Sequence, residues 1–100
     1  MHATIRSYGG NTALADRLAE RQGDVRALIE GIDGFQAYYL VRGDKDTVSI
    51  SIFDSAAGAE ESNRVAAAWL KENMPEVSVS PPSVTAGDVV ISSARSLVTH

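Results

Sequence analysis

From Ala3 to Tyr8 small or apolar residues (Ala3, Ile5, Ser7) alternate with polar or amphipathic ones (Thr4, Arg6, Tyr8), the two-residue period of a strand. Gly9-Gly10 closes it, and Asn11 or Thr12 then stands where a helix cap belongs. Leu14, Leu18, Val25, Leu28, Ile29 and Ile32 recur at about 100° per residue with Asp16, Glu20 and Glu30 opposite, which predicts a helix that Gly23 weakens and Gly31 and Gly34 bring to an end. Phe35 to Val41 and Thr47 to Phe53 are rich in aromatic and branched residues and flank the polar turn Gly43-Asp44-Lys45-Asp46, so they predict a hairpin. Asp54 or Ser55 is placed to cap a second helix running to about Asn73 or Met74, where Pro75 stops it. Pro81-Pro82 leads into a last strand, Val84 to about Ile91.

The order is β-α-β followed by β-α-β. Two such units in a short chain predict an α+β fold of the ferredoxin-like split-βαβ kind, a four-stranded antiparallel sheet with two helices on one face. One domain is expected over residues 1–91, with a Ser-rich tail over residues 92–100. Val48, Ile50 and Ile52 are expected to face the helices, which puts Thr47, Ser49, Ser51 and Phe53 on the open face, joined by Thr4, Arg6, Tyr8, Gln36 and Tyr38. Three aromatics on one uncovered surface ask for a partner, so Tyr8, Tyr38, Ser51 and Phe53 are the expected contacts of a homodimer.

Composition narrows the functional classes. The chain is 44% hydrophobic and 22% charged, an ordinary globular balance, and it has no cysteine, which removes disulfides, thiolate nucleophiles and Cys-ligated zinc. A net charge of −4 gives no attraction to phosphate backbones or anionic lipid, so nucleic acid and membrane are not expected partners. An RNA-binding module has the same element order, but its basic and aromatic third-strand signature is missing from Thr47 to Phe53. The start, Met1 to Arg6, lacks the features of a signal peptide, and the expected compartment is the cytoplasm. No Asp, Glu or His spacing forms a metal motif, Gly9-Gly10 is not a dinucleotide loop, and no Ser sits in a nucleophile elbow.

Three stretches carry a family resemblance: Ile32-Asp33-Gly34-Phe35 turning into Ala37-Tyr38-Tyr39-Leu40-Val41, Val48 to Asp54, and Ala59-Glu60-Glu61-Ser62-Asn63 leading to Ala68-Trp69. They resemble the antibiotic-biosynthesis-monooxygenase group of dimeric α/β-barrel proteins over about Ala3 to Ile91. The resemblance implies a homodimer with sheets face to face and a ligand pocket in each subunit between sheet and helices. Members of the group include cofactor-independent quinone-forming oxygenases and haem-degrading enzymes. The haem-degrading members use a first-strand Asn, a His near the second helix and a Trp on it; this chain has no Asn on the first strand, its histidines are His2 and His100, and Trp69 alone matches. No haem and no other cofactor is therefore expected.

On the second helix Val65, Ala66, Trp69 and Leu70 form the apolar arc, which Ser62, Asn63 and Asn73 interrupt. Such residues either cap the helix or face a cavity. The resemblance places polar pocket residues here, which makes Asn63 and Trp69 the candidate catalytic residues. Tyr39, alternating with Phe35 and Ala37 toward the helices, joins Ser62, Asn63 and Trp69 as an expected substrate contact. Arg21, within the apolar arc of the first helix, either snorkels to water or holds an anionic group. Two functions stay open, a cofactor-independent monooxygenase acting on an aromatic or quinol-type substrate and a non-catalytic ligand-binding or accessory barrel.

Overall fold

The computed structural model describes residues 1–75 and 81–93. Its elements are β1 (His2–Gly9), α1 (Ala13–Glu20), α2 (Gln22–Glu30), β2 (Phe35–Arg42), β3 (Asp46–Phe53), α3 (Ala56–Asn73) and β4 (Ser83–Asp88). The four strands form one antiparallel sheet in the order β2-β3-β1-β4, with Ile5 opposite Ile50 on one side and Thr85 on the other. This is the ferredoxin-like α+β fold.

The first helical segment is two helices, not one, and the break falls at Arg21 (φ −118°, ψ 32°) rather than at Gly23. Asn11 does cap it, its Oδ1 accepting the Leu14 N–H at 3.2 Å, and the Thr47 hydroxyl pins the same end to β3 by donating to the Asn11 carbonyl at 2.6 Å. Gly34 (φ +82°) makes the turn into β2. Gly58 lets the first turn of α3 touch the sheet, since a Cβ there would stand 2.9 Å from the Asp33 carbonyl and 3.1 Å from Phe53. The last strand ends at Asp88, short of the expected Ile91; most of the expected tail, residues 94–100, lies outside the described residues.

The two sheet faces are the reverse of the sequence expectation. Thr4, Arg6 and Tyr8 of β1 and Thr47, Ser49, Ser51 and Phe53 of β3 are buried beneath the helices. Tyr38 packs there too, against the core cluster of Leu14, Leu18, Val25, Leu70 and Met74. Tyr8, Tyr38, Ser51 and Phe53 are therefore helix-side residues and not contacts of the open face. That face carries Ile5, Val48, Ile50 and Ile52, with Tyr39 (59% exposed) and Val41 (46%) beside them. Alternation identifies the apolar face correctly, but it does not say what covers it. On β2 a register irregularity between Phe35 and Ala37 adds a second inversion. Phe35 meets Phe53 edge-to-face at 6.1 Å on the helix side, and past the irregularity Tyr38, not Tyr39, points to the helices.

Candidate functional site

Under α3 the sheet presents a polar floor. Apolar positions of α3 hold the helix down, while Asn63 faces β1 and accepts two hydrogen bonds at Oδ1, from the Thr4 hydroxyl at 3.2 Å and from Arg6 Nη1 at 2.7 Å. Arg6 is only 3% exposed, and its Nε has no hydrogen-bond partner, nor do the buried hydroxyls of Ser49 and Ser51. Among the described residues no carboxylate lies within ion-pair distance of Arg6. Burial pushes the Tyr38 phenol above its ordinary range, and the Arg6 guanidinium pulls it part of the way back.

Two cavities meet at this floor. A cleft of about 610 Å³ runs between α3 and the β1–β4 edge, with Tyr8, Leu70, Met74, Pro82 and Val84 as apolar walls and Arg6, Asn63 and Lys71 as its polar lining residues. That volume suits a small organic molecule. Beneath it a void of about 30 Å³ lies between sheet and helices, bounded by Arg6, Tyr38, Ser49 and Trp69, with room for one or two waters. Arg6, Tyr8 and Leu70 border both spaces.

The residues singled out from the sequence have different fates. Asn63 stands in the cleft. Trp69 walls the void rather than the cleft, and Arg21 lies over its ring at 5.0 Å. Arg21 also binds Asp24 through Nε and Nη2 at 3.1 and 3.0 Å, so its charge already has a counterion. Ser62 is buried, and its hydroxyl donates to the Ala59 carbonyl at 2.7 Å; Asn73 Nδ2 donates to the Trp69 carbonyl at 3.0 Å. Both are helix-backbone contacts. Tyr39 is on the open face, away from both cavities. Arg6 was the residue missed, because the inverted face assignment sent it outward; a lone charged residue in a strand pairing on both sides was the available signal. Among the described residues no group of three His, Cys, Asp or Glu could hold a metal ion, and no helix is long and apolar enough to cross a membrane.

No protein-family profile matches the chain, and no curated protein matches it. Solved structures do. A protein of unknown function from Nitrosomonas europaea, NE2512, superposes with a TM-score of 0.70 at 18% identity, covering 95% of this chain and 94% of its own. The haem degrader MhuD from Mycobacterium tuberculosis, with two haems bound in its active site, gives 0.67 at 16% identity over 94% of this chain and 100% of its own. The monooxygenase ActVA-Orf6 of Streptomyces coelicolor, in complex with nanaomycin D, gives 0.66 at 16% over 95% and 92%. The chain thus shares the ferredoxin-like fold of these proteins.

Proposed function

We propose that this chain binds a small aromatic or quinol-type molecule in the cleft beside α3, and that it acts on that molecule as a cofactor-independent monooxygenase in a homodimer. The observation that carries the reading is the cleft itself, about 610 Å³ with apolar walls and the Asn63 amide set into them. An aromatic body would lie against Tyr8, Leu70 and Met74, and its oxygens would meet Asn63. The fold shared with a monooxygenase that binds nanaomycin D supports the same class of ligand. Dioxygen would be the oxidant. The methylene carbon of a hydroxyanthrone loses both hydrogens and gains one oxygen atom, and the second oxygen leaves with those hydrogens as water.

The uncovered apolar face supports the dimer. Ile5, Val48, Ile50 and Ile52 share it with Tyr39 and Val41, and a second copy of the same sheet would remove these side chains from water.

One observation favours the non-catalytic reading instead: none of the described residues lining the cleft is an Asp, Glu or His able to take a proton from the substrate. Oxygen uptake decides between the two. With 1,8-dihydroxyanthrone and no added cofactor, the monooxygenase reading expects uptake above the uncatalysed rate, matched mole for mole by quinone. Binding without uptake across a panel of anthrones and quinols would leave a ligand-binding barrel.

A further inference from the structure

We infer that Arg6 is an anion-recognition residue, and that the ligand of the cleft carries an acidic oxygen, a phenolate or carboxylate, on an apolar body. The inference rests on the cleft being the ligand site, as proposed above. Three observations carry it. Arg6 is 3% exposed, yet its one side-chain acceptor is the neutral carbonyl of Asn63, and its Nε is unpartnered. A buried guanidinium with five donors ordinarily has a carboxylate or several carbonyls around it, because removing a charge from water without compensation is costly. Moreover, the charged side chains among the described cleft residues are both cations, Arg6 and Lys71, with the Asn63 amide and the Tyr8 phenol beside them and no carboxylate.

Among the described residues, then, the cleft offers Arg6 no negative group. Arg6 stands at the inner end of the cleft, where it also borders the small void, while Lys71 is exposed on the last turn of α3. An anionic oxygen reaching Arg6 would complete its donor set, with the apolar body lying along Leu70, Met74 and Val84. A guanidinium beside the ligand oxygen would favour its ionised form.

Isothermal titration at pH 7 with two probes of matched shape, 2-naphthoate and 2-naphthamide, tests this. The intact protein is expected to bind the carboxylate about tenfold or more tightly than the amide, the worth of a hydrogen bond to a charged group. Arg6→Met is expected to abolish the preference, bringing the carboxylate down to about the level of the amide. Arg6→Lys, which keeps the charge, should restore part of the preference, and near-UV circular dichroism of both variants reports whether the core is intact. Equal binding of the two probes by the intact protein, or an equal loss of both in Arg6→Met with the core intact, would overturn the inference and leave the cleft reading standing. Binding of neither probe would overturn the cleft reading, and this inference with it.

Discussion

Asn63 does two jobs with one oxygen. Its Oδ1 accepts from both Thr4 and Arg6 on β1, so removing it leaves two buried donors without an acceptor as well as taking a polar group from the cleft. Asn63→Ala is accordingly expected to lower stability by about 1 to 3 kcal/mol in a denaturant titration, and to weaken a polar aromatic ligand by about 0.5 to 1.5 kcal/mol. Tyr38 supplies a pH test. Its folded pKa is raised, first by burial, so its contribution is complete below the ordinary phenol value of about 10 and is lost as pH rises from there through the folded pKa. Tyr38→Phe should therefore flatten the alkaline fall of the melting temperature and leave the neutral region little changed in slope. At this scale the sequence was legible only in part. Polar residues on the apolar arc of α3 mark either caps or a cavity, and Ser62 and Asn73 turned to the helix backbone while Asn63 turned to the cleft. Residue type alone does not separate those outcomes, because the same hydroxyl or amide satisfies either partner.

Among the elements, glycines at superficially similar helical positions play opposite parts. Gly58 sits where α3 touches β3 and the Asp33 carbonyl, whereas a Cβ on Gly23 of α2 would meet nothing within 4 Å. Gly23→Ala is thus expected to stabilise by about 0.4 to 1 kcal/mol through the lower entropy of the unfolded chain. Gly58→Ala should destabilise by about 1 to 3 kcal/mol despite alanine's better helix propensity, because its contacts include backbone that has little room to yield. Thermal melts of the two variants side by side check the contrast. The order of the strands and helices was readable from periodicity, turn residues and prolines, all of which are local signals. The break at Arg21 and the irregularity after Phe35 were not, since each is imposed by packing against the sheet or across the hairpin rather than by the residue that adopts it. The second of these moved Tyr39 from the expected pocket to the open face.

At the scale of the molecule, both faces of the sheet have something to bury, and the polar one lies inside the single chain. Thr47, Ser49 and Ser51 are covered by helices, while Ile50 and Ile52 lie on the face the helices leave uncovered. A reading that sends apolar residues toward the chain's own helices must fail in such a fold, and the failure itself locates the apolar face on which the proposed second copy would sit. Light scattering is expected to give twice the 10.6 kDa chain mass, and Ile50→Lys to return the protein to monomer, because a charge buried there would have no counterion. The helix-covered polar face is then free to serve a ligand. A crystal structure grown with 2-naphthoate tests that division of labour most directly. The expected result is the carboxylate within hydrogen-bond distance of Arg6 and Asn63, the ring between Leu70 and Val84, and two sheets in contact through Ile5 and Ile50. A probe seated on the Tyr39 face, with the cleft beside α3 filled only by solvent, would contradict it.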